Sequence, residues 1–370
     1  MIPAQQAMNT NFAKNPVPDC PIEGRLTGWR QALVVSWVLF GALQNVPASC
    51  NAAEPLFREL SSAARGDEIV LLSTRSVGTV CDPPRLRKGL HCQRLKIDGR
   101  GQPTWQTMDW RALLADSGPC HSTIIYVHGN RVPPGKDQAR GLNVYRSLRT
   151  DGNLTDPIRF IIWSWPSTPI PGPVKDFRVK ATYTAPAAWQ LGWFLDQLPR
   201  NSQIALIGYS YGARIVSGAL HLAGGGALDH RRLPSPRGRE RPAIRAALIA
   251  AAYDVDWIQP GNEYGRSTNH LERLVLSTNR QDPAMRFYHL SNGRGRVHAL
   301  GRTGIEHAGT LRPAKVRVRE VNFTNPVGRN HGLAEYLKAS KKMGTLWHQL
   351  LAETSEPPLE RVATIWERLP

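Results

Sequence analysis

The sequence predicts an α/β fold with a mostly parallel central sheet and helices on both of its faces. Short, apolar, β-rich runs alternate along the chain with stretches whose apolar residues recur at helical spacing. The titratable residues of interest each follow closely after one of these runs, and the carboxyl ends of strands are where open α/β sheets build their sites. A chain of 370 residues with 41% hydrophobic content is long enough to bury one large core.

The most informative segment is 204–212, which reads Ile-Ala-Leu-Ile-Gly-Tyr-Ser-Tyr-Gly. An apolar strand enters a Gly-x-Ser-x-Gly pattern, and residues 213–222 then place apolar side chains at helical spacing. A strand that turns into a helix at a serine strains that serine's backbone, which requires small residues two positions before and after it. Gly208 and Gly212 meet this requirement. The pattern can arise by chance in a βα turn, but its context predicts a nucleophile elbow at Ser210.

Two later strand ends supply an acid and a base. A short apolar strand at 274–277 precedes the loop that contains Asp282, and an alternating stretch at 315–324 precedes the loop that contains His331. A serine hydroxyl needs a base within hydrogen-bond reach, and a neutral imidazole oriented by a carboxylate suits that task. The chain order serine, aspartate, histidine is the order of nucleophile, acid and base in one large class of hydrolases.

With these motifs, residues 122–336 resemble an α/β-hydrolase, and more narrowly the uncharacterised bacterial α/β-hydrolase families that carry this elbow without an assigned substrate. The run Tyr126-Val127-His128-Gly129-Asn130 lies where such enzymes place half of their oxyanion hole. The resemblance implies that the backbone N–H of Tyr211 and one from Gly129 or Asn130 stabilise the oxyanion. It further implies a serine hydrolase of carboxylesterase or lipase type, acting on a small-molecule or lipid-like acyl substrate through an acyl-enzyme.

Several alternatives stay open at this level. Asp254 follows another apolar run at 246–252 and is the second candidate for the acid, although Asp282 follows the next strand and lies in the more usual place. The alternative interpretation of His331 is a surface-loop histidine with no role as a base. His128 is interpreted as a loop-shaping residue. The alternative function is a catalytically silent scaffold that binds a small ligand or a cell-envelope partner. A polyanion-binding module would require the arginine-rich segment to lie beside the pocket.

Residues 1–54 predict an N-terminal signal or targeting segment, followed by one hydrolase domain at 55–370. Arginines precede an apolar stretch at 32–43, which is shorter than the roughly 20 residues of a membrane span but suits a signal peptide. We therefore expect export to the periplasm or cell envelope. Cys50 behind small residues keeps a lipid anchor open, and a retained helix or anchor is a further alternative.

The remaining parts of the proposed domain are less regular. The segment 57–115 is interpreted as N-terminal strands of the same sheet, with a strand at 68–73 and a mixed helical stretch at 105–114. The segment 287–313, rich in glycine, arginine and histidine, is long for a loop and is a candidate cap over the cleft.

Cysteine spacing gives no support for metal or redox chemistry. The sequence has five cysteines but no Cys-x-x-Cys pair, and it lacks His-Glu-x-x-His and phosphate-loop patterns, so we expect no metal and no cofactor. Cys81 and Cys92 flank a turn-prone run and are candidates for a disulfide in an oxidising compartment.

Charge raises the question of a polyanionic partner. The formal net charge is +18, and the densest arginine run, at 231–245, is interleaved with prolines and lacks stacking aromatics. That composition is typical of a solvated loop, so we expect no specific nucleic-acid site. Peripheral association with an anionic envelope surface stays open.

Overall fold

A central sheet organises the chain in the computed structural model, which describes residues 66–97, 102–115, 122–199, 202–234, 244–289, 297–305, 311 and 316–352. Its strands are β1 (Glu68–Ser73), β2 (His91–Ile97), β3 (Pro103–Met108), β4 (Ser122–Val127), β5 (Ile158–Ser164), β6 (Gln203–Tyr209), β7 (Ile244–Ile249), β8 (Leu271–Thr278) and β9 (Arg317–Asn322). The order across the sheet is β3-β2-β1-β5-β4-β6-β7-β8-β9. β2 runs antiparallel to β1 and β3, and the other neighbouring pairs are parallel. The predicted mostly parallel sheet is therefore confirmed.

Helices connect these strands in the described part of the chain. The longer ones are α3 (Lys136–Thr150), α4 (Pro173–Gln197), α5 (Tyr211–Ala223) and α10 (Ser340–Leu351). The shorter ones are α1 (Pro83–Gly89), α2 (Ala112–Ala115), α6 (Pro283–Arg286), α7 (Leu300–Thr303), α8 (Thr324–Val327) and α9 (Leu333–Lys338), with a 3₁₀ turn at Ser267–His270. None of the helices described is both long and apolar enough to cross a bilayer.

The strands bury both of their faces, as their near-continuous apolar sequences require. Alternate residues of β1 point to opposite sides, so Val70 and Leu72 join one core cluster while Ile69 and Leu71 join the other. Apolar residues of α4 and α5 cover the first face, and those of α3, α9 and α10 cover the second. The sheet is thus sandwiched between two helical layers.

The connections around β4 create a crevice at the carboxyl end of the sheet. The chain passes from β4 through α3 to β5 on one side, and then through α4 to β6 on the other side of β4. Because α3 and α4 lie on opposite faces, the loops after β4 and β6 diverge at this switch in strand order. Open α/β sheets bind their ligands at such a point.

Two predictions for the N-terminal region need correction. Residues 105–108 are not helical: Trp105 pairs with Leu95 in an antiparallel ladder, and only residues 112–115 form a helical turn. Strand pairing supplied by β2 overrides the mixed local pattern there. Cys81 and Cys92 are free thiols, and Cys92 is buried in the core on one face of β2, so the predicted loop closure is absent among the described residues.

Several predictions fall outside the described residues. These are the N-terminal signal or targeting segment at 1–54, the middle of the arginine-rich run at 235–243, and most of the candidate cap, at 290–296, 306–310 and 312–315. They stay predictions.

Candidate active site

The elbow serine adopts the strained backbone that the sequence predicts. Ser210 lies between β6 and α5 with φ 54° and ψ −117°, and its side chain is almost completely buried. Its backbone N–H donates to the carbonyl of Ile249 on β7 at 2.9 Å, which fixes the turn against the neighbouring strand. A non-glycine residue with positive φ carries a cost that persists only where the surroundings impose it.

The two flanking glycines are required by contact distance. A Cβ at Gly212 would lie 2.0 Å from the carbonyl oxygen of Val127, at the end of β4. A Cβ at Gly208 would lie 2.5 Å from the Cα of Ala213 in the first turn of α5. Because glycine has no Cβ, the start of α5 can lie directly against both β4 and β6. This close approach sets the position of Ser210.

The structure brings Ser210, His331 and Asp282 together. The Nε2 atom of His331 lies 3.1 Å from Oγ of Ser210, and its Nδ1 atom lies 2.7 Å from Oδ2 of Asp282. With the proton on Nδ1, the ring donates to the carboxylate and Nε2 accepts from the serine hydroxyl. The three residues follow β6, β8 and β9, and so meet at one edge of the sheet. This is the arrangement that activates a serine hydroxyl.

Both oxygens of the acid are held in place. Oδ1 of Asp282 caps helix α6 by accepting from the N–H groups of Ala284 and Met285, at 2.9 and 3.2 Å. Oδ2 accepts from the Tyr336 hydroxyl at 3.3 Å as well as from His331. Asp282 is fully buried. A carboxylate with this many donors cannot rotate away from the imidazole without breaking several hydrogen bonds.

Two further residues position the base, and sequence analysis did not identify either role. The ring of Tyr209 stacks on His331 with centroids 5.5 Å apart, and its hydroxyl donates to the His331 carbonyl at 2.5 Å. The buried Asn279 amide donates to the carbonyls of Gly328 at 2.9 Å and Asn330 at 3.5 Å. Asn279 thereby ties the loop of the base to the loop of the acid. Its only sequence signal is a polar amide directly after a buried strand.

The loop after β4 lies against the nucleophile. A Cβ at Gly129 would come within 3.2 Å of the Ser210 Cβ and 2.9 Å of the Tyr209 ring, so only glycine allows this approach. The Asn130 amide donates to buried Asp176 at 2.9 Å, and Arg131 forms an ion pair with the same carboxylate at 3.2 Å. The first turn of α4 therefore holds the loop from which an oxyanion donor is expected.

The other predicted donor is on helix α5. Tyr211 is the first residue of that helix, and first-turn N–H groups have no acceptor within their own helix. Its side chain is buried, with the hydroxyl donating to the Phe177 carbonyl at 3.1 Å. Tyr211 directly follows Ser210, and Gly129 lies close to the Ser210 side chain, so both predicted sources of donors are next to the serine.

His128 has a structural environment, in line with its predicted role. The ring is completely buried and stacks on Trp165 at 5.9 Å, with Nδ1 2.8 Å from the Gly129 carbonyl. Burial lowers the pKa of His128 to about 3, so the ring is neutral near pH 7. Its Nδ1–H therefore donates to the loop backbone.

The second candidate acid, Asp254, lies elsewhere. It is buried after β7, where its backbone bridges to Ala299 and its charge acts on Tyr288. Among the described residues, Asp282 supplies the carboxylate that contacts the imidazole. The described part of the chain contains no group of three or more His, Cys, Asp or Glu side chains placed to hold a metal ion.

Comparisons with known proteins give structural likeness at low similarity. No protein-family model and no curated protein matches the chain. An acyl-protein thioesterase 2 of Zea mays is 15% identical, with 62% of this chain and 96% of that chain covered and a TM-score of 0.32. Esterase B of Lactobacillus rhamnosis is 11% identical, with 87% and 94% covered and a TM-score of 0.34. An acetyl xylan esterase of Trichoderma reesei is 11% identical, with 62% and 96% covered and a TM-score of 0.33.

The fold is assigned from the topology of the chain itself. The mostly parallel sheet reverses its strand order at β4 and carries a strained serine between β6 and α5. An acid follows β8 and a histidine follows β9. The chain has the α/β-hydrolase fold.

Proposed function

We propose that this protein is a serine hydrolase that cleaves a carboxylic ester or a related acyl bond through an acyl-enzyme on Ser210. The observation that carries the proposal is the hydrogen-bonded chain from Ser210 through His331 to Asp282, at 3.1 and 2.7 Å. Each contact is already within the distance that proton transfer requires. The interpretation of His331 as a surface-loop histidine does not account for its hydrogen bonds to a strained, buried serine and to a fully buried carboxylate.

Each of the three hydrogen-bonded residues has one chemical task. Oγ of Ser210 attacks the carbonyl carbon of the substrate, and its proton passes to Nε2 of His331. Asp282 stabilises the imidazolium through Nδ1–H. The C–O bond to the leaving alcohol then breaks as the imidazolium returns the proton to the leaving oxygen. Water attacks the acyl-enzyme in the same way, with Nε2 as base, and releases the acid and free Ser210.

The developing oxyanion needs donors that are fixed before the reaction. We assign this role to the backbone N–H of Tyr211 and to one N–H from Gly129 or Asn130. Each such donor contributes about 3 kcal/mol of transition-state stabilisation in a preorganised site. The contacts of Asp176 with Asn130 and Arg131 support the proposal because they hold that loop before a substrate arrives.

The test is covalent labelling of the nucleophile with a fluorophosphonate probe, combined with turnover of p-nitrophenyl butyrate. The wild type should label, whereas Ser210→Ala and His331→Ala should not; Ser210→Ala should also lose turnover by roughly a million-fold. Ser217→Ala is the matched control, because Ser217 is a buried serine of the same helix that bonds to Tyr253 rather than to a base. Labelling that persists in Ser210→Ala would contradict the proposal, because another residue would then be the nucleophile. A wild type that neither labels nor turns over the ester would favour a catalytically silent scaffold.

A further inference from the structure

The elbow helix carries a charged residue, Arg214, close to its amino terminus. Arg214 lies in the first turn of α5, four residues after Ser210 in the chain. Long side chains on a helix lean toward its amino terminus, which here is the elbow. The contacts agree, because the Arg214 guanidinium carbon lies 6.0 Å from the ring centre of Tyr211, the residue that follows the nucleophile.

The walls around this guanidinium come from two loops that pack against α5. Its carbon lies 4.7 Å from the ring centre of Trp257, and the group is within hydrogen-bonding reach of the Tyr264 hydroxyl. Both residues belong to the long connection after β7. Tyr288, six residues beyond Asp282, also interacts with the Arg214 charge. The cation therefore lies in an aromatic enclosure between the elbow, the connection after β7 and the loop of the acid.

The charge of Arg214 has no anionic partner in the part of the chain that the structure describes. Apart from burial, the largest influences on it come from phenols and not from a carboxylate, and its Nε atom is buried without a hydrogen bond. Burial raises the pKa of Tyr264 to about 12 and that of Tyr288 well above its usual range, so these phenols are neutral near pH 7. Stacking on Trp257 compensates only part of the lost hydration.

Several other arginines of the described residues pair with carboxylates, whereas buried Arg273 donates to the carbonyl of Gln349 at 2.7 Å. Arg149 pairs with the carboxylate of Asp67, and Arg159 pairs with that of Glu68. Arg131, at the oxyanion loop, pairs with Asp176 at 3.2 Å. The guanidinium of Arg214 is thus available to an anion that enters the cleft, and its planar donor fork matches a carboxylate.

We propose that Arg214 binds a carboxylate of the substrate, so that the esters this site prefers carry a negative charge in addition to the bond that is cleaved. This inference rests on the proposed function, because it places the charged group in the same cleft as Ser210. Carboxylate binding neutralises the half-buried cation, completes the aromatic enclosure and orients the ester beside the nucleophile. Arg214 acts in recognition; proton transfer remains with His331.

The experiment compares esters that differ in one charge. On the acyl side the pair is mono-p-nitrophenyl glutarate and p-nitrophenyl butyrate; on the alcohol side it is 4-acetoxybenzoate and phenyl acetate. We expect the wild type to prefer the charged member of at least one pair by about tenfold or more in kcat/KM, mainly through KM. The pair that shows the preference tells which side of the ester Arg214 binds.

Variants test whether Arg214 is the cause. Arg214→Met should lower the charged-to-neutral ratio of kcat/KM to near one, and Arg214→Lys should recover part of it. Arg87→Met is the matched control, because Arg87 also lies over a tryptophan ring, at 5.6 Å from Trp193, but on helix α1. That control should leave the ratio unchanged. A preference that survives in Arg214→Met overturns the inference.

A measurement on the wild type alone covers the case in which the Arg214 variants do not fold. Glutarate should inhibit p-nitrophenyl butyrate hydrolysis competitively and slow fluorophosphonate labelling, whereas its neutral analogue glutaramide should do neither. Equal effects of the two compounds would overturn the inference while labelling of Ser210 still supports the proposed function. A wild type that neither labels nor turns over any ester would overturn both.

Discussion

Tyr209 holds the backbone of His331. Its hydroxyl donates to the His331 carbonyl at 2.5 Å and its ring stacks on the imidazole, so the residue before the nucleophile supports the base. The contact joins the end of β6 to a loop more than a hundred residues further along the chain. The hydroxyl holds the backbone of the His331 loop and the ring lies against the imidazole, so two separate contacts position His331.

Removing only the hydroxyl should therefore weaken catalysis without removing the base. We expect Tyr209→Phe to lower kcat for p-nitrophenyl butyrate about fivefold to tenfold with little change in KM, because one buried hydrogen bond is worth about 1 kcal/mol. Steady-state kinetics measure the split. Tyr145→Phe is the control, since the Tyr145 hydroxyl bonds to Asp67, which directly precedes β1 at the opposite edge of the sheet. Tyr145→Phe should lower the free energy of unfolding by about 1 kcal/mol and leave kcat unchanged. Equal losses of kcat in both variants would argue against positioning of His331 by Tyr209.

The two candidate acids make opposite predictions. Asp282→Asn should preserve the fold, because an amide oxygen can still cap helix α6 through Ala284 and Met285. It should lower kcat by about ten-thousand-fold, because the amide no longer selects the tautomer with the proton on Nδ1 and no longer stabilises the imidazolium by its charge. Asp254→Asn is the matched control and should keep kcat within a few-fold of the wild type. The reverse pattern in esterase assays would transfer the role of acid to Asp254.

The sequence predicted the parts of the site that depend on local pattern. A strand that ends in Gly-x-Ser-x-Gly specifies its own geometry, because Gly208 and Gly212 meet contacts that no other residue allows. Asp282 and His331 could be predicted as partners of Ser210 because each follows a strand, and the structure brings the three side chains together. The support of Asn279 and Tyr209 was not predicted, because it depends on which loops meet in space, and a single polar residue after a strand has many alternative partners.

The two incorrect predictions, of helix at Trp105 and of a disulfide between Cys81 and Cys92, have the same physical origin. Trp105 lies in a mixed stretch whose local pattern favours a helix, but pairing with Leu95 makes it a strand. Cys81 and Cys92 are near in sequence, yet Cys92 points into the core from β2 while Cys81 precedes α1. Spacing along the chain cannot predict the direction in which a side chain points when that direction is set by the register of a distant strand.

Glycine at 212 should be indispensable for folding. A Cβ there would lie 2.0 Å from a backbone oxygen of β4, and neither the strand nor the helix can yield without losing sheet or helix hydrogen bonds. We expect Gly212→Ala to cost more than about 4 kcal/mol of unfolding free energy. Gly218→Ala, on the same helix, meets only side-chain carbons of Ala188 and Leu228 at 2.9 and 3.0 Å. It should cost less, about 1 to 3 kcal/mol in urea unfolding, because the Leu228 side chain can move and a small shift of helix α4 relieves the contact with Ala188; comparable losses would show that the close approach at Gly212 is not the constraint.

Stability should fall in mildly acidic solution because of His128. Burial lowers the pKa of this imidazole to about 3, whereas in the unfolded chain it is about 6.5, so between these values the unfolded state binds the additional proton. The folded state is then favoured fully above pH of about 6.5 and loses up to about 1.4 kcal/mol per pH unit as the pH decreases toward 3. Protonation would add a second ring N–H at Nε2, where the described residues offer no hydrogen-bond partner.

The measurement is urea unfolding of the wild type and of His128→Gln between pH 8 and pH 4.5. Buried Asp137, whose pKa is lowered by hydrogen bonding to Ser164 despite the cost of burial, loses its stabilising charge only at still lower pH. Burial also lowers the pKa of His221, so the difference between the wild type and His128→Gln, and not the wild-type slope alone, reports on His128. We expect His128→Gln to be less stable than the wild type at pH 8 but to lose less stability on acidification. The exposed His91→Gln serves as control and should follow the wild-type slope. Parallel slopes for the wild type and His128→Gln would mean that His128 is protonated in the folded protein, and its assignment as a neutral donor to the Gly129 carbonyl would be wrong.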